Sequence, residues 1–212
     1  MKQVSLILSF LFIASACFGQ KEHLELEKDN YRKNRIDSIL SDGFSQNPYA
    51  RFTSTDGYSF SIEIINGKKI IIYNRYNDDY WRDDIKDTAP IITKKTEIND
   101  DLYLKIGELF KLVTEQAKEV KLEWIEKSDT LPDGTVIEIE HAIIRSDGTT
   151  YTFKTTDENG VIKAGSTWSP QTKEKPMQRR LVEICDKLCS IENENIPQDI
   201  ALEIDKLISY FK

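Results

Sequence analysis

The stretch TDGYSFSIEIINGKKIIIYNRY, residues 55–76, constrains the fold more than any other part of the chain. Apolar and polar residues alternate from Tyr58 to Ile64, which is the period of a strand with one buried and one polar face. Asn66-Gly67 then interrupts the run, and this dipeptide is typical of a type I′ turn because both central residues need a positive φ. The following residues 70–73 are apolar on both faces. The sequence therefore predicts a β-hairpin whose second strand is covered on both sides and lies away from a sheet edge.

Turn dipeptides of the same kind, five in all, each precede a β-rich run. The five are Asp56-Gly57, Asn66-Gly67, Asp133-Gly134, Asp147-Gly148 and Asn159-Gly160. Their spacing is not periodic, so shared turn chemistry explains them better than a sequence repeat. We expect the stretch from Leu122 to Trp168 to form an antiparallel meander of three or four strands, next to the first hairpin.

Helical periodicity marks the rest of the chain. A charged helix is predicted from Glu22 to Leu40, and Asn99 or Asp100 can cap a second one. Three apolar stripes follow, at Leu102, Ile106, Leu109, Val113, Ala117 and Val120, at Met177, Leu181, Ile184, Leu188 and Ile191, and at Ile200, Ile204, Leu207 and Phe211. The prediction is an α+β fold, in which an antiparallel meander sheet of about five to six strands is packed by three amphipathic helices, with the charged helix at the N-terminus.

The first 19 residues have the features of a bacterial-type signal peptide. Lys2 precedes an uncharged run of about 13 residues, which is too short to span a bilayer. We expect cleavage after Gly19, leaving a charged helix or tether over 20–43 and a single α+β domain over 44–212. The alternative is a lipid anchor on Cys17, although Ala14 occupies the position where a lipoprotein signal usually has a branched residue. The expected location is the periplasm or the medium, or the outer membrane if Cys17 is acylated.

Composition narrows the classes of partner. Without residues 1–19 the chain has 28 basic and 36 acidic residues, a net charge of −8. Sequence-independent nucleic-acid binding relies on basic contacts to phosphates, so we expect no nucleic-acid partner. Beyond the signal no run is long and apolar enough to predict a transmembrane span. Cys185 and Cys189 are four residues apart on one helical face, where they are expected to pack beside the apolar stripe rather than form a disulfide.

No catalytic motif is found. The two-histidine zinc spacing, the nucleophile elbow, the P-loop and the dinucleotide glycine pattern are all missing, so we predict no catalytic residue, no metal site and no cofactor. Glu138 and Glu140 share one strand face and could do acid–base chemistry if one were desolvated. Two glutamates on the wet face of a strand are the ordinary interpretation, because isoleucines occupy the opposite face.

The best local candidate for a ligand site follows the first hairpin, in the segment YNRYNDDYWRDDIKD. Its aromatic rings suit a sugar or a peptide, and its carboxylates suit a hard cation, but their spacing does not match a calcium-binding EF-hand loop. A solvated acidic loop is the plainer interpretation. The candidate ligand-binding residues are Tyr76, Asp78, Asp79, Tyr80, Trp81, Asp83 and Asp84.

These observations favour an exported, non-catalytic binding module at the cell envelope, with a protein or an envelope component as its ligand. One alternative is a hydrolase of envelope glycans or peptides that uses paired carboxylates. The other is a lipid-anchored accessory protein, which depends on acylation of Cys17.

Overall fold

The computed structural model describes residues 21–26, 37–77, 90–119, 124–130, 136–142, 148–191 and 198–212. Residues 37–40 are helical, and the longer helices are α1 (Asp100–Glu115), α2 (Pro176–Ser190) and α3 (Gln198–Phe211). In these ranges no helix is long and apolar enough to cross a membrane. The strands are β1 (Glu25–Leu26), β2 (Arg51–Ser54), β3 (Tyr58–Ile65), β4 (Lys68–Tyr76), β5 (Ile91–Glu97), β6 (Trp124–Thr130), β7 (Val136–Ala142), β8 (Thr150–Thr156) and β9 (Ile162–Trp168).

The predicted α+β class is confirmed, but the sheet is larger than predicted and differently connected. Seven strands pair antiparallel in the order β1-β9-β8-β2-β3-β4-β5, and β6 and β7 form a separate two-stranded sheet. The prediction of one continuous meander from Leu122 to Trp168 is therefore wrong. The short strand β2 pairs with β3 on one side and with β8 on the other, so it joins the two parts of the large sheet.

The hairpin of β3 and β4 forms as predicted. Asn66 and Gly67 have φ values of 52° and 79°, the left-handed conformation that a type I′ turn requires. Ile65 is opposite Lys68 across this turn. Because β4 also pairs with β5, it lies inside the sheet, which explains why its central residues are apolar on both faces.

The core lies between one face of the large sheet and the helices. Phe52 contacts Phe60 and Phe153 at ring-centroid distances of 5.6 and 5.3 Å, and Phe110 of α1 packs edge-on against Phe153 at 5.6 Å. Asn99 caps α1 by accepting a hydrogen bond from the Leu102 amide at 2.9 Å. The predicted stripes are buried at Leu102, Ile106, Leu109, Val113, Leu181, Ile184, Leu188, Ile191, Ile200, Ile204, Leu207 and Phe211. Helix α1 ends before Ala117, and Val120 lies outside the described residues.

The N-terminal segment differs from the predicted continuous helix. Residues 25–26 pair with β9 as a strand, residues 37–40 are helical, and residues 27–36 lie outside the described residues. The side chain of Leu24 is fully buried, and a Cβ on Gly165 would lie only 2.9 Å from the Cβ of Leu24. Tertiary packing of Leu24 against a glycine outweighs the local helical preference of this charged segment.

The second face of the sheet is mainly polar, apart from the buried Ile72 and Tyr76, and residues 37–42 cover part of it. The backbone carbonyl of Leu40 accepts hydrogen bonds from the Ser59 hydroxyl at 3.2 Å and from the Asn74 amide at 2.9 Å. An ion pair between Lys154 and the buried Asp37, at 2.8 Å, fixes the same segment over β8. Several buried polar groups on this face therefore have partners, although in the described part of the chain Oδ1 of Asp37 and the hydroxyl of Thr152 are buried without one.

Candidate functional site

A cavity of about 360 Å³ opens where β3, β4 and β5 meet the last turn of α2. We call it the α2 pocket. Its volume is within the range of small-molecule sites. Its described lining consists of Tyr58, Tyr73, Arg75, Lys94, Asp186, Cys189 and Ser190.

The register of the sheet determines which side chains meet in this pocket. Tyr58 lies directly opposite Arg75, and Tyr73 lies directly opposite Lys94. Residues directly opposite in an antiparallel pair share a face, and so do residues two apart in one strand. All four side chains are therefore on the face of the sheet that α2 covers, and Asp186 and Cys189 approach them from the helix.

Asp186 and Tyr58 form the strongest polar contact of the pocket. The Tyr58 hydroxyl donates a hydrogen bond of 2.6 Å to Oδ1 of Asp186. Burial raises the pKa of Asp186, while the bond from Tyr58 and the charge of Arg179 act in the opposite direction. Burial, followed by the bond to Asp186, also raises the pKa of Tyr58. The phenol therefore keeps its proton at neutral pH and fixes the carboxylate in place.

Among the described residues, the other wall of the pocket offers donors but no activated nucleophile. Burial raises the pKa of Tyr73 to about 12, so its hydroxyl is protonated at neutral pH. Burial also raises the pKa of Cys189 well above 9.0, and thiols are nucleophilic only as thiolates. Cys185 and Cys189 are both free and buried beside the core stripe, which confirms the packing role expected for them.

Arg75 and Lys94 are the basic residues in the described lining of the pocket. They project from neighbouring strands on the same face. A guanidinium presents a planar pair of donors to a carboxylate, and an ammonium adds a point charge beside it. Together with the Tyr73 hydroxyl, this arrangement suits an acidic group on a ligand that also contacts the tyrosine rings.

The candidate site residues of the sequence analysis do not line this pocket in the described part of the chain. Tyr76 is buried, only 7% exposed, and packs with Leu40 on the opposite face of the sheet. Its burial is explained by its register, because Tyr76 is one residue beyond Arg75 and so points to the other side. The remaining six, Asp78, Asp79, Tyr80, Trp81, Asp83 and Asp84, lie outside the described residues, as does Cys17.

The described residues that flank the segment with these six residues in the chain are Asn77 and Pro90. Asn77 donates a backbone hydrogen bond to Pro90 at 2.9 Å, next to the end of β4 and the start of β5. Asn77 is two residues from Arg75, about 7 Å along a strand. The ligand-binding role proposed for this segment stays a prediction.

The paired glutamates stay a prediction too. Glu138 and Glu140 belong to β7, where they are opposite Ser128 and Glu126 of β6. Asp186 is the one carboxylate in the described lining of the α2 pocket. The parts of the chain that the structure describes hold no group of three or more histidine, cysteine or acidic side chains suited to a metal ion.

The sequence contains a signal for this pocket that the motif search missed. Along β4, Ile71, Tyr73 and Arg75 occupy alternate positions that face the helices. Arg75 continues this face beyond the core residues as an exposed basic side chain, which marks the place where the face meets solvent. Lys94 and Asp186 could not be linked to it from sequence, since β5 and α2 are brought together only by the fold.

No protein-family model matches the chain, and neither do the curated proteins or the solved structures compared with it.

Proposed function

We propose that the protein is a non-catalytic binding module of the cell envelope and that the α2 pocket binds an acidic group of its ligand. The observation that supports this most strongly is the position of Arg75 and Lys94, which are diagonal neighbours on adjacent strands at a pocket with tyrosine walls. Tyr73 adds a protonated hydroxyl donor beside the two cations. The described lining offers neither an activated nucleophile nor a second carboxylate, which favours binding over hydrolysis.

A nuclear magnetic resonance titration of the isotope-labelled protein with N-acetylglutamate tests this proposal. We expect the largest shift changes at the backbone amides of Tyr73, Arg75 and Lys94. Arg75→Gln and Lys94→Gln should each weaken binding by about threefold, as for partly exposed charge pairs. Lys173→Gln, an exposed lysine outside the pocket, is the matched control.

Nα-acetylglutaminamide, in which amides replace both carboxylates of N-acetylglutamate, has nearly the same shape without the charge and separates acid recognition from simple filling of the cavity. Equal shifts with both compounds would show that the pocket does not select an acidic group. Shifts with neither compound would contradict the proposed ligand site altogether.

We also propose that the working form begins at Gln20, after cleavage following Gly19. The position of Leu24 supports this, because the chain joins the folded core five residues after Gly19. Mass spectrometry of the protein from its native envelope should give an unmodified mature chain from Gln20. A chain that begins at an acylated Cys17 would establish the lipoprotein alternative instead.

A further inference from the structure

Among the residues that the structure describes, the large sheet has one open edge, formed by β5, and it borders the α2 pocket. β5 pairs only with β4 among the strands that the structure describes. At the opposite edge, β1 has two residues, and Lys118 covers it through hydrogen bonds with Leu24 and Leu26 of 2.9 and 2.8 Å. β5 is longer, with seven residues, and Lys94 at its centre lines the pocket.

The hydrogen bonds at both ends of β5 show which of its backbone groups face outward. Asn77 donates to Pro90, and Ile98 donates to Lys69, each at 2.9 Å. In an antiparallel pair, bonded and non-bonded positions alternate. Ile92, Lys94 and Thr96 therefore bond to β4. The amides and carbonyls that point to the open edge belong to Ile91, Thr93, Lys95 and Glu97.

The charges along this edge are mainly positive. Lys94 lies on the pocket face of the sheet and Lys95 on the other, so an added strand would meet a cation on either side. Glu97, the acidic residue of β5, is already engaged by Lys68 at 2.6 Å. This edge belongs to a chain with a net charge of −7, which makes its basic character a local feature.

A second copy of the protein fits this edge poorly. If two copies paired antiparallel along the full length of β5, their central residues would be opposite each other. Lys94 would then face Lys94 of the copy. Like charges directly opposite in a sheet are destabilising. An extended segment with acidic residues has the complementary charge.

We propose that β5 accepts an extended acidic segment of a partner polypeptide as an eighth strand, with one carboxylate of that segment at Arg75 and Lys94. This inference rests on the proposed acid-binding role of the α2 pocket. The backbone groups of Lys94 bond to β4, so they would not bond to an added strand. At such non-bonded positions, the side chains of two residues directly opposite each other approach most closely. The partner residue opposite Lys94 therefore points to the pocket face, and its neighbour opposite Lys95 points to the other face.

The probe is a synthetic decapeptide of threonine and valine with two adjacent glutamates at its centre. We expect it to protect the amides of Thr93 and Lys95 from hydrogen exchange and to shift the amides of the α2 pocket. The matched peptide with two glutamines should bind about tenfold more weakly, since it loses two charge pairs. Methylation of the peptide nitrogens that bond to β5 should reduce binding by at least about tenfold.

On the protein side, Lys95→Pro removes an outward amide without removing a bond to β4, so it should abolish peptide binding while the sheet persists. Lys173→Gln is the control with unchanged binding. Should the proline variant fail to fold, Lys95→Gln keeps the amide and tests the charge of this position instead, with an expected loss of about threefold, and the N-methylated peptide tests the backbone bonds.

The two proposals can fail separately. If N-acetylglutamate binds the pocket but the peptide leaves the β5 amides unprotected, strand addition is wrong and the pocket proposal stands. If neither probe binds, both are wrong. If the peptide does not bind and Lys95→Val makes the protein dimerise in sedimentation experiments, the lysines only prevent self-association, and the inference is overturned.

Discussion

Asp186 makes the stability of the fold depend on pH. Its pKa is raised above the ordinary value of 3.8, so between these two pKa values the folded state binds more protons than the unfolded state. Stability then falls as pH rises from about 4 through the folded pKa. Asp186→Asn cannot titrate and keeps an oxygen for the Tyr58 bond. We expect the stability of this variant relative to the wild type to increase over that pH window, as measured by urea unfolding at several pH values.

Glu174→Gln is the control for this series, because Glu174 is an exposed acidic residue outside the pocket. Its stability curve should run parallel to that of the wild type. Parallel curves for Asp186→Asn as well would show that this carboxyl titrates alike in the folded and unfolded states.

Gly107 shows a second effect of a single residue. A Cβ at this position in α1 would lie 2.0 Å from the hydroxyl oxygen and 2.2 Å from Cζ of Tyr49. The Tyr49 ring is stacked on Tyr103 at 4.1 Å and cannot move away freely. We expect Gly107→Ala to cost about 1–3 kcal/mol of stability in urea unfolding, despite the better helix propensity of alanine.

The same substitution in a Tyr49→Ala background isolates the clash. There, Gly107→Ala should be neutral or stabilising by up to about 1 kcal/mol, as in an unobstructed helix. Leu104→Ala, at an exposed position of the same helix, should change stability little. Equal costs in both backgrounds would rule out contact with Tyr49 as the cause.

At the scale of elements, local chemistry predicted where strands begin but not how they pair. β3, β4, β7, β8 and β9 each start one or two residues after a turn dipeptide, because those turns are specified by adjacent residues. β2 and β5 were not predicted. The four residues of β2 are too few for a period to be visible, and the pairing of β2 with β8 spans about 100 residues of chain. Without β2, the two halves of the sheet could not be ordered.

The candidate pocket was unpredictable for the same reason. It joins β3, β4 and β5 to a helix about 90 residues beyond β5, and no local pattern links Arg75 to Asp186. The one available signal was that Arg75 lies on the same face of β4 as Ile71 and Tyr73. The acidic segment after β4 attracted attention through composition alone, which indicates solvation as readily as binding.

Glu22 shows how the N-terminal segment stabilises an element far away in sequence. The residue at the N-cap of α2, Lys175, makes no capping bond with its side chain. The Glu22 carboxylate instead accepts hydrogen bonds from the amides of Met177 at 3.0 Å and Gln178 at 2.9 Å. We expect Glu22→Ala to lower stability by about 1 kcal/mol, because it leaves the helix start uncapped.

Thermal or urea unfolding measures this effect, with Lys21→Ala as the control at an exposed neighbour. Glu22→Gln should fall between the two, since it keeps an acceptor but loses the charge that complements the helix dipole. A loss in Lys21→Ala as large as in Glu22→Ala would point to the segment as a whole rather than to the cap.

At the scale of the whole molecule, the described strands divide into a seven-stranded sheet and a two-stranded hairpin. Hydrogen-bonded pairing continues from β1 to β5 across the large sheet, whereas β6 and β7 pair only with each other. An isolated two-stranded hairpin is at best marginally stable in water. We therefore expect the amides of β6 and β7 to exchange with solvent faster than those of β3 and β4, which native-state hydrogen exchange would measure. Equal protection would show that the hairpin opens only when the whole fold does.

The position of this hairpin in the chain allows a stronger test of the single domain predicted over 44–212. It is inserted between α1 and β8, so residues 121–146 can be replaced by a Gly-Ser linker of about 12 residues, which reaches up to about 40 Å. We expect the shortened chain to keep cooperative urea unfolding and the amide spectrum of the large sheet. The corresponding deletion of β8 and β9 should abolish folding, because it removes the pairing partner of β2 and the buried ring of Phe153. If removal of the hairpin unfolds the protein as completely as removal of β8 and β9, then the hairpin and the large sheet form one cooperative unit despite their separate pairing.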